Sequence, residues 1–409
     1  MNQTYSNKIA LPTLYDKDSH GKIRYWTMFI SGANFWAESG IEGGKNKVDR
    51  PTTAKPKNVG RANATTPEEQ AQLDAQSKWD KKIKEGYQQD KSKAGEYYFY
   101  KPMLADKFPS RKKNVEEALN NDVKVFCQPK LDGIRCIMRL EDGEIVARSR
   151  MGSTFDTLEH IKDELRPLFD ADPNMVLDGE LYNHKFKENF NKIVSIIKQI
   201  HPDNREKGKD EYTEARWAKI EAEWAENVAE SVKYAQYHIY DAPKINGLVE
   251  SDNFSNRIDA LANTIPMDGK SIVLVQTLRA DTMDELNNEY ESYLSQGYEG
   301  QMVRIDGAYA SDRRPIELLK RKEFIDIEAE ILEITEGKGN WAGYAKSIRA
   351  KMDNGKEFDS NTIGDFEYTK DLLDNKDQYI GKQGHFRFLN YTPDGLPRCS
   401  HMHSVRDYE

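Results

Sequence analysis

A short polar element between two apolar, strand-like segments constrains the fold of this chain more than any other feature of its sequence. Residues 123–127 and 135–140 form the two segments, and the sequence Lys-Leu-Asp-Gly-Ile-Arg at 130–135 joins them. A lysine at the mouth of a strand-loop-strand element is partly shielded from water, which favours its use as a nucleophile. The glycine that follows lets a ligand approach the backbone closely. Taken alone, the element predicts either a sheet that presents a reactive amine at Lys130 or an ordinary surface turn.

Short apolar runs alternate with turns and helix-like segments from Tyr97 to about Phe324, a pattern that predicts an α+β domain. The strand candidates are 123–127, 135–140, 144–149, 174–182, 234–241, 271–277 and 299–305, and the helix candidates are 157–165, 186–200 and 284–296. Asp142-Gly143 is a hairpin signal between two of these strands. The charged stretch 201–231 predicts an inserted, solvated helical arm, with a surface that grips nucleic acid as the alternative.

The two ends of the chain predict smaller β-rich domains. Strand candidates at 325–335, 346–352, 356–359 and 382–390 have the spacing of a five-stranded barrel of the OB type. Residues 11–48 alternate as strands do, with glycine turns expected at Gly40, Gly43 and Gly44. Thr66-Pro67-Glu68-Glu69 predicts the capped start of a helix that ends near Glu85. The polar segment 88–96 is expected to be a linker. We therefore expect three domains, at 1–90, 97–324 and 325–409.

Length, charge and cysteine content exclude several classes of protein. A chain of 409 residues suits two or three domains, and a net charge of -9 leaves the partner open because 60 lysines and arginines can still line one groove. Three cysteines cannot form a disulfide framework or a four-cysteine zinc module. No apolar run approaches the roughly 20 residues that span a membrane. We expect a cytoplasmic monomer with no membrane association.

A Lys-x-Asp-Gly sequence alone arises by chance in roughly one chain in ten of this length. Here it is followed in order by five further segments and preceded by one, and together they resemble the motifs of the covalent nucleotidyltransferase superfamily. The segments are 102–105, 130–133, 149–152, 178–181, 240–241, 299–304 and 319–322. That superfamily comprises ATP-dependent DNA ligases, RNA ligases and mRNA capping enzymes. The resemblance is strongest to ATP-dependent DNA ligases, because 337–350 is similar to the start of their OB domain and 397–407 to their last motif. The compact layout of the chain favours a viral or phage-like member.

The resemblance implies that Lys130 becomes covalently linked to AMP. The residues that it assigns to nucleotide binding are Gln128, Asp132, Arg135, Arg150, Glu180, Tyr240, Arg304, Lys320, Lys322, Arg398 and Arg406. Glu299 and Glu180 are the implied ligands of Mg²⁺ or Mn²⁺, for which carboxylate oxygens are suitable. Lys320 and Lys322 are two positions apart on a predicted strand, so both can reach one phosphate.

Individual roles follow from the family's motifs. Gln128 occupies the position that contacts the edge of the adenine, and Tyr240 is expected to stack on that base. Asp132 is expected to orient the attacking group or the ribose. Arg135 and Arg150 carry planar guanidinium groups suited to two-pronged phosphate contacts. In the family, the basic cluster that contains Arg398 and Arg406 approaches the pyrophosphate of ATP.

The implied activity is that of an ATP-dependent DNA ligase, which seals 3′-hydroxyl/5′-phosphate nicks in double-stranded DNA during replication, repair or recombination. The expected location is the cytoplasm of the cell, or of the host if the source is a phage or virus. One alternative is an RNA ligase or an mRNA-capping guanylyltransferase with the same core. A second alternative is an inactive DNA-binding scaffold that retains the fold.

The N-terminal residues 21–26 and 38–45 are similar to a WGR-type β module, although the Trp-Gly-Arg triplet is absent. Such modules bind DNA ends or nicks in other repair proteins. The hypothesis is that residues 1–90 add affinity for DNA through six basic side chains that contact phosphates: Lys45, Lys47, Arg50, Lys55, Lys57 and Arg61. A solvated basic loop is the alternative.

Overall fold

The computed structural model describes residues 8–18, 20–61, 63–96, 99–187, 189–199, 201–204 and 213–406. Part of the predicted charged insertion (205–212) and Asp407 of the last motif lie outside the described residues. The chain divides into two compact units, of which one combines 1–98 with 324–409 and the other is 99–323. No helix in the described ranges is both long enough and apolar enough to cross a bilayer.

Residues 8–96 form a six-stranded antiparallel sheet covered by one helix. The strands are β1 (Ile9–Ala10), β2 (Leu14–Lys17), β3 (Ile23–Ser31), β4 (Asn34–Ile41), β5 (Asn46–Val48) and β6 (Thr52–Thr53), and the helix is α1 (Pro67–Lys84). Helix α1 begins at the predicted capping box, because the Thr66 hydroxyl accepts from Glu69 N at 3.2 Å and the Glu69 carboxylate accepts from Thr66 N at 2.8 Å. Its Ala71 and Ala75 pack on the apolar face of the sheet.

Two N-terminal predictions were wrong. Gly40 lies inside β4 rather than in a turn. The position favours glycine because a Cβ atom there would lie 2.9 Å from the Lys45 carbonyl oxygen. Residues 88–96 are not a free linker, because Tyr15 N donates to the Gln88 carbonyl at 2.7 Å and Lys91–Lys93 forms a short 3₁₀ turn. The segment is thereby attached to the edge of the sheet at β2.

Residues 99–323 contain two five-stranded sheets and six α-helices among the described residues. The strands are β7 (Asp106–Lys107), β8 (Val125–Lys130), β9 (Ile134–Glu141), β10 (Glu144–Ser149), β11 (Val176–Tyr182), β12 (Gln236–Lys244), β13 (Ile272–Leu274), β14 (Leu278–Ala280), β15 (Gly300–Ile305) and β16 (Leu318–Lys322). The helices are α2 (Phe108–Asn120), α3 (Glu159–Ala171), α4 (Phe190–Ile197), α5 (Glu214–Tyr234), α6 (Phe254–Thr264) and α7 (Met283–Ser295).

Each sheet of this unit has its own apolar core. The first sheet has the order β10-β9-β11-β12-β13 and packs against α3, α4 and α6. The second has the order β14-β8-β15-β16-β7 and packs against α2 and α7. The sequence had suggested that Lys130 lies in the connection between two strands. Instead it is the last residue of strand β8. Helices α2 and α6 were not predicted.

The charged insertion contains the 21-residue helix α5, in which Ile220 and Ser231 are buried. Lys192 of α4 donates to the Glu230 carboxylate at 2.6 Å and holds the helix against its neighbour. The helix carries more acidic than basic side chains. This charge favours the solvated arm over a surface that grips nucleic acid.

Residues 325–405 form the predicted closed five-stranded barrel, with the order β17-β18-β19-β21-β20. Its elements are β17 (Ile325–Glu336), β18 (Ala345–Lys351), β19 (Glu357–Thr362), α8 (Phe366–Asp374), α9 (Lys376–Tyr379), β20 (Gln383–Phe388) and β21 (His401–Val405). Strand β21 was missed, and the histidines at its start belong to the barrel wall. Arg50 Nη1 of the N-terminal sheet donates to the Ala342 carbonyl at 2.5 Å. Whether 1–90 and the barrel are separate domains therefore stays a prediction.

Candidate active site

Lys130 and Glu299 face each other because their strands are paired. In the antiparallel register of β8 and β15, Gly300 lies opposite Lys130, and Glu299 N donates to the Lys130 carbonyl at 3.1 Å. The Lys130 ammonium makes an ion pair with one carboxylate oxygen of Glu299. The other oxygen accepts from Lys322 Nζ at 3.2 Å, since β16 places Lys322 opposite Gly300. Two predicted lysines and a predicted metal ligand thus form one cluster.

The turn that follows Lys130 requires glycine at position 133. A Cβ atom there would lie 2.4 Å from the Leu181 carbonyl oxygen and 2.7 Å from Cγ of Glu180. The turn that carries Asp132 can therefore press against β11, which is paired with β9 just beyond it. This close approach brings the lysine-bearing sheet to the strand that carries Glu180.

The other sheet contributes an arginine fixed by a buried carboxylate. Arg135 Nε donates to Asp178 Oδ1 at 2.8 Å, and its Nη2 donates to Oδ2 at 2.5 Å. The Tyr309 hydroxyl donates to the same carboxylate at 2.6 Å. The Arg135 guanidinium lies over the Tyr240 ring at 5.4 Å, so the aromatic wall of the site is held by a chain of contacts that begins at Asp178.

The two predicted metal-binding carboxylates have opposite electrostatic environments. Burial raises the pKa of Glu180 to about 7 in spite of the attraction of Lys130 and Arg135. Burial also acts to raise the pKa of Glu299, but the adjacent Lys130 and Lys322 lower it below its ordinary value. At neutral pH, Glu299 is therefore ionised, whereas Glu180 is poised between its two protonation states.

Gln128 is buried in the wall of the site with its amide fully engaged. Its Nε2 donates to the Tyr240 carbonyl at 3.0 Å and to Thr277 Oγ1 at 2.8 Å. Its Oε1 accepts from Arg304 Nε at 2.9 Å. Contact with an adenine edge, the role that the sequence suggested for Gln128, would require the donor bonds of this amide to be exchanged.

Arg304 is also buried, with 2% of its surface exposed. Its Nη1 donates to Asp241 Oδ2 at 2.6 Å, and Arg257 Nε donates to Asp241 Oδ1 at 2.9 Å. Burial acts to raise the pKa of Asp241, but the two arginines hold it below its ordinary value. Arg304 therefore supports the wall behind Gln128, while its guanidinium also lies 5.8 Å from the Tyr240 ring.

These groups surround a cleft of about 220 Å³. The predicted site residues that line it are Gln128, Lys130, Arg135, Arg150, Glu180, Tyr240, Arg304 and Lys320. Burial lowers the pKa of Lys320, and the neighbouring charges of Lys322 and Arg314 lower it further. An anion in the cleft would relieve this crowding of positive charge.

The remaining predicted residues lie outside the cleft lining. Glu299 adjoins it through its ion pair with Lys130, and Lys322 in turn contacts Glu299. Asp132 lies in the neighbouring turn. Arg398 and Arg406 belong to the unit that contains the barrel. Arg406 Nε donates to Glu328 Oε1 at 3.2 Å.

Sequence reasoning missed several side chains that hold the site together. Tyr309, Thr277 and Arg257 were not selected, because each acts through another residue rather than through a motif of its own. Met103 N donates to the Tyr309 hydroxyl at 3.0 Å, which ties segment 102–105 to Asp178. A single buried tyrosine in a loop gives no sequence signal for this role.

The carboxylates present fit a divalent cation that arrives with phosphates. Within the described ranges no group of three or more His, Cys, Asp or Glu side chains is arranged to hold a metal ion. Mg²⁺ commonly takes only one or two carboxylates and completes its shell with water and substrate phosphates. Glu180 and Glu299, which both interact electrostatically with Lys130, are such a pair.

The family model described as ATP dependent DNA ligase domain matches residues 102–322, more than half of the chain. The DNA ligase of Enterobacteria phage T6 is 24% identical over 299 residues, which are 65% of this chain and 60% of that protein. The DNA ligase of African swine fever virus (isolate Tick/South Africa/Pretoriuskop Pr4/1996) is 25% identical over 307 residues, 73% of this chain and 64% of that protein. The chain thus spans less than two thirds of the length of these relatives.

Two solved structures share the fold. One, described as "DNA binding with a minimal scaffold: Structure-function analysis of Lig E DNA ligases", has a TM-score of 0.52 and 21% identity, and the match covers 75% of this chain and 100% of that one. The other, described as "Pmar-Lig_Pre.", has a TM-score of 0.58 and 21% identity, with 76% and 68% covered. The fold is that of a nucleotidyltransferase unit accompanied by an OB barrel. With the match at 102–322, these findings show that the chain belongs to the ATP-dependent DNA ligase family.

Proposed function

We propose that this protein is an ATP-dependent DNA ligase that seals 3′-hydroxyl/5′-phosphate nicks through a lysyl-AMP intermediate on Lys130. The observation that carries the proposal is the position of the Lys130 amine. It lies at the edge of a cleft lined by basic side chains, and the Glu299 carboxylate contacts it directly. A nucleophile, a phosphate-binding surface and a carboxylate that can hold a cation are what adenylyl transfer requires.

In the first step, the Lys130 ammonium releases a proton to solvent, and the resulting amine attacks the α-phosphorus of ATP and releases a second proton. A nitrogen–phosphorus bond forms, and the bond to the leaving pyrophosphate breaks. Lys320 and Lys322, two positions apart on β16, would bind phosphate oxygens from one face of the strand. Tyr240 and the apolar wall of the cleft would hold the base. A divalent cation bound by Glu299 and Glu180 would supply positive charge against the charge that develops on the phosphates.

In the later steps, the AMP passes to the 5′-phosphate at a break in DNA, and the 3′-hydroxyl then displaces it. Arg150 is exposed in the turn after β10 and still lines the cleft, so it can contact a phosphate that arrives from outside. The proposed partner is nicked double-stranded DNA, and we expect a monomer, which light scattering would test. The proposed location is inside a cell, in the host cytoplasm if the source is a phage or virus.

The test uses ATP labelled at the α-phosphate. We expect a labelled protein band with Mg²⁺, no label with Lys130→Arg, and transfer of the label when nicked DNA is added. Nicked RNA and GTP serve as parallel arms, since transfer to RNA alone or labelling by GTP alone would favour an RNA ligase or a capping enzyme. If neither ATP nor GTP labels the wild-type protein, the proposal is refuted and an inactive scaffold is favoured.

A further inference from the structure

Positive charge is concentrated in the N-terminal part of this acidic chain. Residues 1–98 contain sixteen lysines and arginines and twelve aspartates and glutamates, a net charge of +4. The remaining residues contain forty-four basic and fifty-seven acidic residues, a net charge of -13. Such an asymmetry within one chain indicates a polyanionic partner for the positive part.

The whole of this excess is accounted for by one segment, residues 45–61, which we call the basic edge. It contains six lysines and arginines and a single acidic residue, Asp49. The segment follows the outer side of β4: β5 pairs with it from Glu38 to Gly40, and β6 pairs with it at Asn34 and Phe35. At roughly 3.3 Å per residue, the paired stretch is about 23 Å long. That is the axial length of about seven base pairs of a duplex.

The six basic side chains fall into two groups. Lys47 lies 3.7 Å from Asp49, Lys57 lies 3.3 Å from Asp74, and Arg50 donates to the Ala342 carbonyl. The other group is Lys45, Lys55 and Arg61, all exposed, and for these the described part of the chain shows no ion pair. Three cations spread along an exposed edge are thus available to an external anion.

We propose that the basic edge binds the phosphate backbone of the DNA duplex that flanks the nick, through Lys45, Lys55 and Arg61. The contact is electrostatic and independent of base sequence, because these side chains present only charge and no groove-reading element. Arg50 plays a different part from the one expected from the sequence. Its guanidinium holds the edge against the β17–β18 connection of the same unit and lies 6.0 Å from the Tyr344 ring.

The surface lies outside the matched family region 102–322, so it is an addition to the ligase core. Its role at a nick rests on the proposed function, but its affinity for duplex DNA can be measured independently. An alternative explanation of the basic edge is protection against aggregation, because lysine and proline on an edge strand prevent unwanted pairing with other strands. That explanation predicts no change in DNA affinity when the charges are removed.

The experiment compares two triple variants of the full chain. One removes the three unpaired cations of the basic edge (Lys45→Ala, Lys55→Ala, Arg61→Ala). The matched control removes three exposed lysines from other loops and a helix end of the same 98 residues (Lys22→Ala, Lys84→Ala, Lys93→Ala). Binding to a fluorescent nicked duplex is measured from 50 to 300 mM salt, and lysyl-AMP formation is measured without DNA.

We expect the first variant to bind roughly ten- to a hundredfold more weakly and to lose about two to three units from the slope of log K against log salt. The control should keep the wild-type slope, and both variants should form lysyl-AMP at the wild-type rate. Equal slopes for the first variant and the wild type would overturn the proposal and leave the protective role. Loss of lysyl-AMP in the wild type itself would instead count against the proposed ligase function.

Discussion

Glu180 and Glu299 show how two identical side chains acquire different properties at one site. Glu299 is kept ionised by Lys130 and Lys322, whereas burial raises the pKa of Glu180 to about 7. Glu299 carries the negative charge that would bind a cation. Ionisation of the buried Glu180, in contrast, costs free energy unless a positive charge lies beside it. A divalent cation that binds beside Glu180 would therefore favour its ionised form.

The raised pKa of Glu180 predicts how stability changes with pH. Between about 4.5 and 7 the folded protein keeps a proton on Glu180 that the unfolded chain has released, so stability contributed by this group falls as pH rises through that window. We expect Glu180→Gln to gain stability relative to wild type between pH 5 and pH 8. Urea unfolding at both pH values measures the difference. A difference that does not depend on pH would contradict the prediction.

Asp241 is a completely enclosed charge near the site, with no surface exposed. It neutralises Arg304 and Arg257 together, and each of these is almost completely buried. Asp241→Asn would leave two buried guanidinium groups without a counter-charge, so we expect a loss of about 3–5 kcal/mol in the free energy of unfolding. The control is Asp326→Asn in an exposed pair with Arg387, which should cost less than about 1 kcal/mol. Equal losses in the two variants would show that burial of the pair is not the cause.

At the scale of single elements, the sequence predicted the motif-bearing strands and their order, because alternation and turn residues are local signals. It did not predict the bonds that join the two sheets. Asp178 was visible in its motif, but its partner Tyr309 is distant in sequence and is selected only by the folded geometry. The same limit applies to Gln128, whose amide looked free to contact a base until its three partners were known.

Hydrogen bonds from the segment after β11 hold the turn that carries Glu299. The Gln296 carbonyl lies 3.1 Å from His184 Nε2 and accepts from Lys187 Nζ at 3.0 Å, so segment 184–187 after β11 is fastened to the turn before β15. The Tyr182 hydroxyl lies 2.7 Å from His184 Nδ1 and fixes the ring. These contacts connect the segment that follows the Glu180 strand to the turn that carries Glu299.

His184→Ala should weaken these contacts without touching the nucleotide. We expect the Mg²⁺ concentration that half-saturates lysyl-AMP formation to rise by roughly tenfold, with the rate at saturating Mg²⁺ nearly unchanged. His184→Gln keeps a side-chain donor and should recover part of the loss. A fall in the saturated rate with no change in Mg²⁺ dependence would show that His184 does not position the carboxylates.

At the scale of the whole molecule, the predicted boundaries near 97 and 324 lie close to those of the unit 99–323. What the sequence could not reveal is that 1–98 and 324–409 fall into one unit. The contact of Arg50 with Ala342 joins residues that are 292 positions apart, and no periodic pattern encodes such a pairing. Without such a signal, the sequence predicted the N-terminal sheet and the barrel as separate domains.

Arg406 allows a test of the part that the barrel plays in adenylation. Within the described part of the chain its ion-pair partner is Glu328, both side chains are exposed, and such pairs contribute little to stability. Resemblance to the last ligase motif implies that Arg406 contacts the pyrophosphate of ATP in the first step. We therefore expect Arg406→Ala to keep wild-type stability and to slow lysyl-AMP formation by roughly a hundredfold.

The same variant should seal a nick that already carries AMP on its 5′-phosphate at nearly the wild-type rate, because no pyrophosphate takes part in that step. Arg387→Ala is the matched control, since Arg387 lies on the same barrel in an exposed pair with Asp326 and is outside the motif. It should leave both steps unchanged. If Arg406→Ala slowed the two steps equally, the residue would have to act on DNA or on the barrel itself. A selective loss of the first step would assign Arg406 to the formation of lysyl-AMP and exclude a role for it in sealing.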